Sequence, residues 1–382
     1  MMPRAKAARR LVLLGGGHAH VHLLAQAARA PLAPPGELEL TLVSPYERHL
    51  YSGMVPGYLQ GIYAETDLTF DLRALAARAG ARFITAKADR IDAAARRVEV
   101  AGERLPYDLL SLDVGSEPAG LETSGVREHA LTVRPMNRAA ALRRRAEELF
   151  ASGAADRVEV AVVGGGAAGV EVAFALERLG RERAARVRVT IVEAATDVVP
   201  EFSRRVQGIA GRLLAARGIA VCAGRPVAAV EAASVVLDDG RRLPSQLTVW
   251  IAGAAAPRLL AESDLPKDPD GFLLVDATLR AVDGGPLFGA GDCIGIAGYP
   301  GLAKAGVYAV REAPILDHNL RAALAGTEPR RFRPQAGFLA LLNSADGRAI
   351  WRWKGLAGHS RLAWRLKDRL DRAFLRRYPE AR

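Results

Sequence analysis

Twice along this chain an apolar run ends in clustered glycines, continues as an alanine-rich stretch, and is followed by a second apolar run. The first copy is LVLLGGGHAHVHLLAQAARA from Leu11, followed by LELTLVS. The second is VEVAVVGGGAAGVEVAFALERLG from Val158, followed by RVRVTIVEA. Each reads as strand, tight turn, helix and strand, the opening unit of a doubly wound parallel sheet. The turn brings backbone N–H groups and the positive end of a helix dipole to one point, which suits a pyrophosphate. The pattern predicts an α/β chain with two Rossmann-like dinucleotide-binding domains. At 382 residues the chain exceeds one ordinary core.

The second copy carries the complete fingerprint. Gly164, Gly166 and Gly169 satisfy G-x-G-x-x-G, and Glu193 ends the next strand, placed to bond a ribose 2′-hydroxyl. A carboxylate there repels a 2′-phosphate, and Arg188, earlier on that strand, does not rescue it. NADH is therefore favoured over NADPH. The first copy departs from the pattern. Gly15 and Gly17 fit, but His20 takes the third glycine position and Ser44 stands where the ribose carboxylate belongs. His18 and His22 share a helix face at a spacing that can bind zinc. No Cys, Asp or Glu follows at ligand spacing, so no metal is expected. His18 reads as a polar or cationic contact to the cofactor and His22 as a packed helix residue.

A third motif, GGPLFGAGDCIGI, runs a short strand into Gly289, Ala290, Gly291 and Asp292. Two further strand-then-glycine stretches, YDLLSLDVGSEP with Gly115 and LTVWIAGAAAP from Leu247, resemble interdomain crossings. With SPYERHLYSGMVPGYLQG and KAGVYAVREAPILDHNL, these segments resemble flavoproteins of the type II NADH dehydrogenase kind. The nearest likeness is the subgroup found as the flavoprotein half of fused selenide, water dikinases, where the histidine-bearing loop is usual. The resemblance implies a discontinuous FAD-binding domain formed by residues 1–118 and 248–328. An NAD(H)-binding domain at 119–247 and a C-terminal module at 329–382 complete the chain. It implies that Asp292 and Gly291 bind the FAD ribityl chain. It also puts Gly53 and Pro56 of YSGMVPG beside the isoalloxazine, and Glu171 near nicotinamide and flavin. A helix beginning near Ala303, with Lys304 and Ala305, should face the flavin pyrimidine. Type II dehydrogenases usually carry glutamines in that motif, so Lys304 is a departure.

The only cysteines are Cys222 and Cys293, and no pair follows the first glycine loop. That disfavours disulfide reduction and sulfide oxidation and suits a reducing compartment. Cys293, next to Asp292, could approach the flavin. The expected activity is hydride transfer from NADH through FAD to a quinone or other small-molecule acceptor. Two alternatives stand: action on selenium or sulfur species, and a non-catalytic redox sensor. Net charge is +11, nearly all from arginine. That suits an anionic partner, though no nucleic-acid motif accompanies it. MMPRAKAARR precedes an apolar run too short for a signal peptide. Glu159, Glu171 and the glycines break Val158–Leu176, so no spanning helix is expected. The C-terminal module reads as a hairpin turning at Asp346-Gly347, then a helix capped by Ser360. On that helix Leu362, Leu366, Leu370, Ala373 and Phe374 form a stripe opposite five arginines. Two readings fit: an anchor on the cytoplasmic face of an anionic membrane, or a helix docked on the domain.

Overall fold

Both glycine units form parallel sheets in the computed structural model, which describes residues 8–152 and 156–381. The basic stretch Met1–Ala7 lies outside the described residues. The first sheet runs in the order Leu287–Gly289, Leu109–Leu112, Arg9–Leu14, Leu38–Ser44, Arg82–Thr85. The second runs Ala130–Thr132, Leu247–Trp250, Val158–Val163, Val187–Glu193, Ala220–Ala223. Every pairing in both is parallel. Near-continuous Val, Ile and Leu runs fit such strands, because helices cover both faces. The strand carrying the third motif thus closes one edge of the first sheet, which brings Gly291 and Asp292 back to the first glycine loop across nearly the whole sequence.

Two chain crossings join the sheets. Glu117–Pro118 pairs antiparallel with Ala254–Ala255, so the segments that follow SLDVGS and WIAG run side by side. A helix at Val55–Gln60 packs against the second glycine helix, Ala167–Glu182. The loop before it, Tyr51–Gly53, is thereby pressed between the two glycine units. One apolar core runs through both sheets and reaches the C-terminal module. Among the described residues, no helix is long and apolar enough to cross a membrane.

Three local readings need correction. The helix expected near Ala303 begins at Gly306, leaving Gly301–Ala305 as a lining loop. The C-terminal module has a third strand, Leu356–Ser360, beyond the expected pair Ala340–Asn343 and Ala349–Trp353. Lys354 and Gly355 both have positive φ, 45° and 81°, the geometry of a two-residue hairpin turn. Third, the stripe on the last helix, Arg361–Leu375, does not face one way. Phe374 docks inward with Ala363, Lys367, Asp371 and Leu375, while Leu362, Leu366 and Leu370 remain 74 %, 39 % and 48 % exposed. Ser360 caps the helix as expected, its Oγ accepting the Ala363 N–H at 3.1 Å.

Candidate functional site

At the first glycine loop the backbone turns too tightly for side chains. Gly15 has φ +88°, and a Cβ there would collide with the Asp113 carbonyl; one at Gly17 would collide with the Asp113 carboxylate. Asp113 was not visible as a site residue from sequence. It follows the strand Leu109–Leu112, and its Oδ2 accepts the Ala19 and His20 N–H groups at 2.8 and 3.1 Å. These are orphan donors of the helix His18–Arg29. Burial, with Asp292 nearby, pushes Asp113 up to about 7. The same network explains His20 in the third glycine position. Its Nδ1 lies 2.7 Å from the Gly15 carbonyl and its Nε2 2.9 Å from Ser111 Oγ. Burial lowers His20 to about 4, so Nδ1–H donates to Gly15 and Nε2 accepts from Ser111. Asp113 lies inside the SLDVGS segment, but only the fold brings its carboxylate to the first glycine loop.

The three histidines of the loop diverge. His22 Nδ1 lies 3.2 Å from the Tyr378 hydroxyl, a packing contact. His18 is 9 % exposed, stands edge-on to His49 with ring centroids 5.1 Å apart, and its buried Nε2 has no partner. Burial drives His18 down to about 4, so it meets a cofactor as a polar group and not as a cation. Ser44 Oγ donates to the Tyr46 carbonyl at 2.8 Å and shapes the rim. Gly115, at φ +71°, and Gly291, at φ +76°, line the same cavity as Asp292. The Gly291 N–H donates to Glu312 at 2.6 Å, and burial raises Glu312 to about 8. The glycine cradle, the unpartnered His18 Nε2 and the ≈ 560 Å³ cavity they border fit a dinucleotide such as FAD.

The second loop follows the full fingerprint. Gly164 has φ +106°, and a Cβ there would stand 2.7 Å from the Ile251 carbonyl oxygen. A Cβ at Gly169 would collide with the Gly164 carbonyl, so the third glycine serves close helix–strand packing. Glu193 holds the loop, accepting the Gly165 N–H at 2.5 Å and the Ala195 N–H at 2.8 Å. Gly164, Gly166, Gly169 and Glu193 all line a larger cavity of ≈ 1490 Å³. That exceeds the space one drug-sized ligand needs. His18, Arg134, Lys304 and Ala305 border both cavities, so the two cradles meet there.

Where they meet, the last helix contributes charges that sequence reasoning missed. Lys367 Nζ donates to the Gly53 carbonyl at 2.7 Å and to Asp371 at 2.8 Å. Tyr51 donates its hydroxyl to Asp371 at 3.1 Å. Burial opposes the Lys367 charge, but Asp371 and Glu171 outweigh it and hold the amine above its ordinary value. Glu171 accepts the Asn343 N–H at 2.6 Å; burial pushes its carboxyl up to about 7, against the pull of Lys367. Gly53, Glu171, Lys367 and Asp371 all line the larger cavity. The legible clue was that Lys367 is the one lysine on an arginine-rich helix, with Asp371 one turn on.

Two predicted catalytic residues stand differently from expectation. Pro56 is buried in the first turn of Val55–Gln60 and, among the described residues, borders neither cavity; Tyr51, Ser52 and Gly53 form the wall instead. Lys304 borders both cavities, but its amine donates to the Ile294 carbonyl and lies 3.7 Å from the centre of the Phe272 ring. Burial lowers its pKa. Cys293 is buried, bonded to the Ala290 carbonyl at 3.2 Å, and burial pushes its thiol up to about 12. Both features disfavour the thiolate that a nucleophile needs. Neither cysteine lines either cavity.

Two dinucleotide cradles meeting at one cavity, with no cysteine pair between them, define an oxidoreductase that works with two nucleotide cofactors. The chain belongs to the pyridine nucleotide-disulphide oxidoreductase family, whose sequence pattern matches residues 9–313, and it is an FAD-dependent NADH oxidoreductase. A type II NADH:quinone oxidoreductase from Staphylococcus aureus is 26% identical over 373 residues, covering 92% of this chain and 91% of the relative. One from Staphylococcus saprophyticus is 25% identical over 272 residues, 67% of each chain. Among solved structures, NDH2 from Plasmodium falciparum in complex with NADH superposes with a TM-score of 0.81 at 14% identity, covering 98% of this chain and 99% of that one. The sulfide:quinone oxidoreductase of Aquifex aeolicus does so at 0.80 and 20% identity, covering 98% and 92%. These two likenesses carry the fold.

Proposed function

We propose that this chain transfers electrons from NADH through FAD to a membrane quinone. The observation that carries the reading is Leu370. It lines the larger cavity and is 48 % exposed, on the same side of the helix as Leu362 and Leu366. Leu370 would thus link the wall of the cavity to the exposed Leu366 and Leu362, one and two turns earlier on the same helix. A lipid-soluble acceptor can enter from such a surface without crossing water. The names of the staphylococcal relatives support the same acceptor.

Bound FAD would accept hydride from NADH and release two electrons to the acceptor. The residues of the chain supply position and charge. Gly15, Gly17, Gly115, Gly291 and Asp292 would hold FAD, and Gly164, Gly166, Gly169 and Glu193 the NADH. Lys367, fixed on the Gly53 carbonyl, would supply a cation to offset negative charge developing in the cavity during reduction. Glu171, near pH 7 in its titration, can hold or release a proton at its carboxyl beside that cation. His18 and Ala305 border the passage between the cradles. The exposed leucines with the arginines around them support peripheral attachment to an anionic membrane.

The test is steady-state NADH oxidation by the flavin-loaded protein with short-chain and long-chain quinones, with and without anionic vesicles. Turnover of a long-chain quinone that rises on adding vesicles is expected. Flavin bleaching by NADH with no turnover of any quinone would overturn the reading.

A further inference from the structure

The chain leaving the second strand of the NAD(H) unit folds back onto the glycine loop. Beyond Glu193 it turns at Val199, whose φ of +48° is a left-handed conformation that a β-branched residue adopts only under restraint. The restraints are local. Val199 is fully buried, its N–H donates to the Gly165 carbonyl at 2.7 Å, and the Phe202 N–H closes the turn onto the Val199 carbonyl at 2.9 Å. Pro200, Glu201 and Phe202 then form part of the wall of the larger cavity. Glu201 reaches the loop itself: its Oε1 accepts the Ala167 N–H at 2.7 Å. Ala167 is the first residue of the helix Ala167–Glu182, whose N-terminus is the natural seat of a dinucleotide pyrophosphate. A Cβ added at Gly166 would meet this carboxylate first, at 3.5 Å.

We infer that the Glu201 carboxylate competes with the dinucleotide pyrophosphate for this helix N-terminus, weakening NADH binding and hastening NAD⁺ release. The inference rests on reading Ala167–Glu182 as the NAD(H) helix. One N–H cannot serve both anions, and two like charges a few ångströms apart in a partly enclosed cavity repel. Glu193 plays a different part, since it holds Gly165 and Ala195 from the ribose side. The buried Val199 turn keeps Glu201 tethered within reach, so it recaptures Ala167 as soon as the phosphate leaves. Tethering replaces a bimolecular competitor by an intramolecular one at high effective concentration. Product release sets the rate of many such enzymes, which gives the competitor a use.

Isothermal titration of the flavin-loaded protein with ADP-ribose, which carries the pyrophosphate but no nicotinamide, tests this. Glu201→Gln keeps the shape without the charge, and Glu201→Ala removes both. Both should bind ADP-ribose about three- to tenfold tighter than the parent, with slower NAD⁺ dissociation in stopped flow. Adenosine, lacking phosphate, should bind all three alike. Weaker or unchanged ADP-ribose binding overturns the inference: weaker binding makes Glu201 a ligand contact, and unchanged binding with a lower melting temperature for Glu201→Ala makes it only a helix cap. If the parent binds no ADP-ribose, or Glu193→Ala leaves its affinity untouched, the NAD(H) assignment fails and takes the inference with it.

Discussion

Single residues decide whether the two cradles hold their ligands and when protons move. Asp292 stands at the end of the third motif with Ser116 Oγ at 3.4 Å and the Arg134 guanidinium at 3.9 Å. Its carboxylate is free to accept charge-assisted bonds from a ribityl chain, stronger than neutral ones. Asp292→Ala should purify with little flavin, read as loss of the visible absorbance. Full flavin occupancy in that variant would remove Asp292 from the site. Glu171 makes a pH prediction. Its carboxyl titrates near 7 when folded against an ordinary 4.5, so between those values the folded state binds a proton that the unfolded chain has released. Stability therefore falls as pH rises through this window, and the full penalty, at most about 3 kcal/mol, is present above pH 7. Glu171→Gln removes it. Its melting temperature relative to the parent should climb from pH 5 to pH 8, and quinone turnover should lose any limb near pH 7. A constant difference in melting temperature across that range would show that Glu171 is ionised throughout. These glycines and carboxylates were legible because their motifs are short and local. Asp113, Ser111 and the role of His20 were not, because one strand with the residue that follows it must meet a helix about ninety positions away before their chemistry exists.

Among the elements, the last helix was the least legible. Its amphipathic pattern was plain, but pattern alone does not say which side the protein takes. Charged residues are expected outside, and here Lys367 and Asp371 turn inward. They pair with each other and satisfy the Gly53 carbonyl and Tyr51 hydroxyl, which makes their burial tolerable. The third strand before this helix was legible in principle, since Lys354-Gly355 resembles other two-residue turns ending in glycine. The helix start at Ala303 was misplaced by three residues because Gly301–Ala305 serve as cavity wall instead of helix. The inward pair gives the element its own prediction. Lys367→Met leaves Asp371 and Glu171 without their cation and should cost about 3–5 kcal/mol, as breaking one side of a buried pair does. Adding Asp371→Asn should restore much of that stability in chemical denaturation. Quinone turnover should stay low in the double variant, because the cation at Gly53 is still missing. Recovery of turnover along with stability would reduce Lys367 to a structural residue.

At the scale of the whole molecule, the topology followed from the two glycine repeats, and the position of the site followed from the topology. What the repeats could not give is how the cavity meets the outside, since that depends on which way the last helix leans. It leans so that the exposed Leu362, Leu366 and Leu370 stand among the exposed Arg361, Arg365 and Arg369, with Leu370 at the cavity. Each basic residue near an anionic leaflet contributes about 1 kcal/mol, and the leucines add apolar burial, so surface binding should be reversible. The helix also carries Lys367, Asp371 and Phe374 into the core, so deleting it would damage the site and confuse the test. Replacing Leu362 and Leu366 by Glu changes only the outer face. That double variant should keep its flavin, its melting temperature and its reduction of water-soluble acceptors. It should no longer sediment with anionic vesicles, and its reduction of long-chain quinones should fall. The parent should dissociate from the same vesicles as salt is raised, because charge attraction is screened over about 8 Å at physiological ionic strength. If the variant and the parent sediment alike at every salt concentration, the leucine face is not the membrane contact. The quinone would then have to enter the cavity from another side.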